Sequence, residues 1–349
     1  MNRPDTAPAR RCARRRFLTA ALAGGAAAAA CGRLRAQPAA REGASGSTRS
    51  TRAAIEGAWR DAARERDIPW RLRLPAEAGP WPLVLYSHGL GGSREGGDAW
   101  SEAWRAAGIA VLHLQHAGSD TESLRGGVQA LRAAVGAEQL VARVRDMRFA
   151  IDELARRSVA GEAPWMRLRA DAVGIAGHSF GALTTQALAG QRYPVPAALA
   201  EPRACAFIAL SPSPGRGRAA AMSPREAFGA VTRPFLAVTG SLDGDPFGSH
   251  ATGEPRARVY EGLPPGQRGL LWLDGADHMS FAGNAERRIR GNALFKRERR
   301  AEQQEVRHHA LVARITTLWW RAHLLGDADA RRALANPVGL EAGDRFDLG

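Results

Sequence analysis

The pentapeptide Gly177-His178-Ser179-Phe180-Gly181 sets a serine between two glycines. That G-x-S-x-G spacing does nucleophilic chemistry when it joins a strand to a helix, because the sharp turn leaves the hydroxyl exposed at a helix start. Here the apolar run Val173-Gly174-Ile175-Ala176 precedes it and a helical stretch over 182–189 follows. Gly177 and Gly181 let the backbone turn without a Cβ clash. A serine hydroxyl is a weak nucleophile, so it needs a base, and the base needs an orienting carboxylate.

His278 fits the base. Of the nine histidines it alone lies both downstream of Ser179 and directly after a strand-like run, in Asp274-Gly275-Ala276-Asp277-His278. His308, His309 and His323 fall on a C-terminal helical stretch, and His250 lies in a loop. In the chain order nucleophile, acid, base, the carboxylate lies between Ser179 and His278. Asp243, after the strand-plus-turn over 235–241, is the first choice and Asp245 its rival. Asp274 and Asp277 sit on the histidine's own loop and reach its far nitrogen less well. An oxyanion developing on the substrate needs two preorganised N–H donors. The backbone of Phe180, after the nucleophile, supplies one. Leu90, in the loop Ser87-His88-Gly89-Leu90-Gly91-Gly92, supplies the other, with Gly89 and Gly91 allowing close approach. No H-E-x-x-H or similar spacing marks a metal site, and no phosphate-binding glycine loop precedes Lys-Ser/Thr.

These groups need a scaffold. Strands are predicted over 70–74, 83–86, 109–114, 173–176, 206–210, 235–239 and 270–273, each apolar and bounded by turn formers. Leu140, Val144, Met147, Ile151 and Leu154 make one apolar stripe, predicting a helix over 139–157. A second helix is predicted over 310–325, with Leu311, Ile315, Leu318 and Trp319 on its docking face. Such alternation implies one α/β domain over 53–349, a mostly parallel sheet with helices on both faces.

Read in order, Ser87-His88-Gly89-Leu90-Gly91-Gly92, Arg143-x-x-Asp146-Met147-Arg148-Phe149, Gly177-His178-Ser179-Phe180-Gly181, Gly240-Ser241-Leu242-Asp243 and Asp277-His278-x-x-Phe281 resemble the α/β-hydrolase superfamily. Within it the chain resembles the branch of platelet-activating-factor acetylhydrolases, dienelactone-hydrolase-like proteins and cutinase-like polyesterases, over about residues 66–325. The resemblance implies a serine carboxylic ester hydrolase that forms an acyl-enzyme and uses water but no cofactor. Lipid, polyester or small-molecule esters are the substrates it implies. Dienelactone hydrolases use a cysteine nucleophile, whereas this elbow holds Ser179 and Cys205 lies outside it. Acyl transfer to an alcohol, and a non-catalytic binding protein of the same fold, stay open.

Composition bounds the rest. With 45% apolar residues and 22 aromatics in 349, the chain is no disordered polymer, and three cysteines make no disulfide scaffold. The net charge of +14 is mostly local: residues 1–52 hold eleven arginines against Asp5 and Glu42. A nucleic-acid binder would carry its basic stripe on the body instead. Residues 1–36 read as an export signal, because Arg14-Arg15-Arg16-Phe17-Leu18 resembles the twin-arginine pattern and runs into a weakly apolar Ala/Gly stretch. The resemblance implies the twin-arginine translocase as partner and a periplasmic or secreted product. Cleavage after Ala36 and lipidation at Cys31 are both open, and 37–52 reads as a linker. Cys205, in an apolar run, reads as a core residue. The basic segment 284–307 reads as a solvated helix face, with steering of anionic substrates or lipid surfaces as the other option.

Overall fold

Apolar runs too short for helices build the centre of one sheet. A computed structural model describes residues 54–349 apart from 127–133, 195–197, 214, 216–220, 247–250 and 284–296. The expected leader, the linker and the first part of the basic segment lie outside the described residues. Among the described residues nine strands pair: β1 (Ile55–Asp61), β2 (Arg66–Arg73), β3 (Trp81–Ser87), β4 (Ala110–Leu114), β5 (Leu168–His178), β6 (Ala204–Leu210), β7 (Phe235–Leu242), β8 (Arg268–Asp277) and β9 (Arg345–Leu348). Their order is β1-β2-β4-β3-β5-β6-β7-β8-β9. From β4 through β8 every neighbour is parallel, while β1, β2 and β9 close the edges antiparallel.

The six helices of eight or more described residues are α1 (Asp98–Ala106), α2 (Ala137–Val159), α3 (Phe180–Ala189), α4 (Glu254–Gly262), α5 (Glu305–Leu324) and α6 (Ala328–Ala335). All seven residues of β3 are buried, as a strand covered on both faces requires. Successive side chains alternate, so Leu83 and Leu85 join the core under α2 and α3 while Val84 and Tyr86 join the core under α1 and α5. The second core is tryptophan-rich, with Trp100, Trp104, Trp319 and Trp320 all 1% exposed or less. Gly174 makes room for it, because a Cβ there would stand 2.7 Å from the Trp320 ring.

The expected strands are present, most of them longer, and two were not foreseen. β1 (Ile-Glu-Gly-Ala-Trp-Arg-Asp) and β9 (Arg-Phe-Asp-Leu) are edge strands whose charges blur the apolar signal. The helix expected from residue 310 begins at Glu305, because its first turn is polar. Cys205 is half-buried on β6 and not enclosed in the core as expected, lying at the strand's start with its Sγ 3.3 Å from the Asp171 carbonyl. The parallel block has one functional consequence. The loops after β3, β5, β6, β7 and β8 all emerge at one edge of the sheet, where α/β folds hold their ligands.

Candidate active site

Ser179 stands between the last residue of β5 and the first of α3, with φ 56° and ψ −113°. Positive φ on a non-glycine residue is strained backbone, and such strain concentrates at functional sites. The flanking glycines are required by proximity: a Cβ on Gly177 would meet Gly181 at 2.4 Å, and one on Gly181 would stand 1.8 Å from the Ser87 carbonyl oxygen. The elbow is therefore pressed against the end of β3.

His278 opens the 3-10 turn after β8, and its Nε2 is 2.9 Å from Ser179 Oγ. Its Nδ1 is 2.9 Å from Asp243 Oδ1. Asp274 and Asp277 are engaged elsewhere: Asp274 accepts from Ser241, and Asp277 caps the His278 turn through Ser280 N–H at 2.8 Å. Asp243 is fully buried after β7 and accepts from Thr239 Oγ1 and Ser211 Oγ, both at 2.8 Å. Burial alone would raise its carboxyl, but the Arg256 guanidinium 2.9 Å away, His278 and the Ser211 hydroxyl outweigh burial and hold it at about 2. It is an anion at neutral pH.

Four supporting residues escaped the sequence reading of roles. Ser211 follows β6 with φ 57°, and its hydroxyl lies 2.8 Å from both Asp243 Oδ1 and His278 Nδ1. Arg256, from α4, donates to the main-chain carbonyls of Asp243, Pro212 and Gly244, pinning the loop that holds Asp243. His178, inside the elbow motif, donates from Nε2 to the His278 carbonyl at 3.0 Å. Burial first, then the neighbouring His278 ring, pushes His178 down to about 3, so it is neutral. Arg297 bridges Asp277 and Glu305, tying the His278 turn to α5. Arg300 pairs with Asp274 and Arg307 with Asp344, so the described part of the basic segment carries ion pairs on a face that is largely exposed.

Leu90, Gly89 and Ser179 line one cavity of about 60 Å³, also walled by Tyr86, His178 and Met279. Gly91 N–H and Gly92 N–H donate to the carbonyls of Ser119 and Gly89. Among the described residues neither Leu90 N–H nor Phe180 N–H is given to another loop carbonyl, and Phe180 stands in the first turn of α3, where N–H groups are intrinsically without partners. A second cavity of about 70 Å³, walled by Ile151, Leu154 and Val173, sits at the opposite ends of the strands, away from this chemistry. Among the described residues no group of three His, Cys, Asp or Glu side chains converges as metal ligands, and no helix is long and apolar enough to cross a membrane.

No protein-family model matches the sequence, and no curated protein matches it either. Among solved structures the chain is similar to a 2,6-dihydroxy-pseudo-oxynicotine hydrolase, at 16% identity and a TM-score of 0.50, over 78% of this chain and 68% of that one. At that identity the likeness concerns the fold. Strand order, crossovers and this likeness together make it an α/β-hydrolase fold.

Proposed function

We propose that this α/β-hydrolase-fold chain is a serine hydrolase that cleaves carboxylic esters through Ser179, His278 and Asp243. The observation that carries the reading is the continuous hydrogen-bonded path from Asp243 Oδ1 through His278 to Ser179 Oγ, 2.9 Å at each step, ending on a strained serine at the start of α3. As Ser179 Oγ attacks the ester carbonyl, its proton passes to His278 Nε2. Asp243 holds Nδ1–H and so fixes the tautomer that leaves Nε2 open. Negative charge on the former carbonyl oxygen is met by Leu90 N–H and Phe180 N–H. Collapse breaks the ester C–O bond, and the alcohol leaves with the proton from Nε2. Water then attacks the acyl-Ser179 ester, His278 again taking the proton; collapse breaks the acyl C–Oγ bond, Nε2 returns the proton to Ser179 Oγ, and the carboxylic acid departs.

The motif order supports a place in the branch of platelet-activating-factor acetylhydrolases, dienelactone-hydrolase-like proteins and cutinase-like polyesterases. The pattern at Arg14 and Arg15 supports export by the twin-arginine route to the periplasm or beyond. A panel of p-nitrophenyl esters of graded acyl length, given to purified protein and to Ser179→Ala, tests the reading. Hydrolysis by wild type and loss by the variant are expected. Equal rates in both would overturn it.

A further inference from the structure

Arg143, on α2, is fully buried, and among the described residues no carboxylate lies within ion-pair distance of its guanidinium. A buried cation without a carboxylate partner is expensive. Its donors go to main-chain and hydroxyl oxygens of the loops facing Ser179. Nη1 donates to the His88 carbonyl at 2.6 Å and to Ser87 Oγ at 3.3 Å; Nη2 reaches the Gly89 carbonyl at 3.4 Å; Nε donates to Ser119 Oγ at 2.8 Å. Its other side lies over the Phe180 ring, 4.3 Å from the centroid. One guanidinium therefore touches both segments that carry the two oxyanion donors.

Peptide geometry turns those contacts into aim. The Gly89 carbonyl and the Leu90 N–H belong to one planar trans peptide, so they point in opposite directions. The Gly89 oxygen is held by Gly92 N–H at 3.1 Å and by His88 Nδ1–H at 2.6 Å besides Arg143. The His88 tautomer is forced, because its Nε2 accepts the His116 backbone N–H at 3.1 Å and Nδ1 must then carry the proton. Behind this loop runs a second Ser-His-Asp chain. Ser87 Oγ lies 3.0 Å from His116 Nε2, and His116 Nδ1 lies 2.9 Å from Asp146 Oδ2. Ser87, His116 and Asp146 are all 0% exposed, so this chain serves as a brace and not as a second nucleophilic site. Arg64 and Arg66 anchor Asp146 from the β1–β2 turn and β2, at 2.8 Å each.

Given the ester-hydrolase reading above, on which this rests, we infer that Arg143 is the positioning residue of the oxyanion hole. It aims Leu90 N–H by holding the carbonyls of His88 and Gly89, and it braces Phe180. Asp146 and Asp120 act on the buried guanidinium only through space, without a direct ion pair, and an oxyanion forming across the Gly89–Leu90 peptide adds to that counter-charge. Lysine cannot reproduce the fork, because its three donors radiate from one point.

The test uses the full chain with p-nitrophenyl acetate, rates expressed per Ser179 titrated with a fluorophosphonate, and inhibition by a trifluoromethyl ketone that becomes an oxyanion on addition. Arg143→Lys should lower kcat about 10- to 100-fold, short of the loss of a whole oxyanion donor. KM should move less than about threefold, and ketone binding should weaken in step with kcat/KM. Ser119→Ala removes the hydroxyl that accepts from Nε and donates to the His116 carbonyl, a smaller change than the loss of the guanidinium, so it decides the matter if the lysine variant does not fold. Its kcat should fall roughly three- to tenfold with the same split. Turnover per titrated site within twofold of wild type in the folded variants, or a loss carried by KM, overturns the role of Arg143. An inactive wild type, or an active Ser179→Ala, would instead sink the hydrolase reading beneath it.

Discussion

Gly181→Ala is a small change that pushes Ser179 away from the loop after β3. The added Cβ would stand 1.8 Å from the Ser87 carbonyl oxygen, 2.6 Å from its carbon and 2.9 Å from the His88 carbonyl oxygen. All three are main-chain atoms of β3 and the loop after it, so no flexible side chain can yield. A carbon–oxygen contact of about 3.3 Å is ordinary, which leaves α3 and the end of β3 about 1.5 Å too close. Misplacing reacting groups by about 1 Å costs on the order of 10²-fold, so kcat/KM on p-nitrophenyl acetate should fall about 10²- to 10³-fold. Overpacking of this kind also lowers stability by about 1–3 kcal/mol or more. Gly108→Ala is the control: its φ is 82°, but nothing lies within 4 Å of the added Cβ. It should lose about 1 kcal/mol of stability and no activity. Gly181→Ala with kcat/KM within threefold of wild type and an unchanged Tm would refute the geometry drawn for the elbow.

Asp243→Asn should cost about 10⁴ in turnover by stabilising the wrong imidazole tautomer, while Asp245→Asn stays within a few-fold; the reverse ranking in steady-state assays would move the acid. Acid should destabilise the fold early, because burial, the largest cause at each, holds His113 at about 3, His116 at about 4 and His178 at about 3. The unfolded chain protonates these rings near pH ~6.5, so their contribution is intact above that value and is lost as pH falls toward 4, by about 1.4 kcal/mol per pH unit for each ring. Urea midpoints should drop steeply below pH 6, and a flat profile from pH 7 to 4.5 would contradict this. The double change Arg14→Lys, Arg15→Lys keeps the charge of the leader and should leave the protein in the cytoplasm of its host; undiminished periplasmic protein on fractionation would point to the general export route.

The parallel centre of the sheet was legible because both faces are covered. Strands such as β3 and β6 are then nearly continuous apolar runs bounded by Gly, Pro or Ser. β1 and β9 were not legible, since β1 (Ile-Glu-Gly-Ala-Trp-Arg-Asp) shows neither an apolar run nor a clean alternation and β9 has only four residues, two of them charged. Ser179 announced itself through its own neighbours, since the elbow needs glycine on both sides. His278 and Asp243 followed from their positions after strands. Ser211 and Arg256 carry no such signature, because their work is defined by what the fold brings beside Asp243, 32 and 13 residues away in the chain. Arg143 stood within a motif that marked the resemblance, but only the structure shows its guanidinium against the His88 carbonyl 55 residues back. Polar groups that hold loops by main-chain contacts leave no local pattern to read.

The central claim is that Ser179 is the nucleophile, and covalent labelling tests it most directly. The full chain is treated with a limiting fluorophosphonate, residual esterase activity is followed, and the modified peptide is located by mass spectrometry. One label per chain on Ser179, with activity lost in proportion and no label on Ser179→Ala or Ser87, is the expected result. Ester hydrolysis that persists in a fully labelled protein, or a label on another residue, would contradict the account.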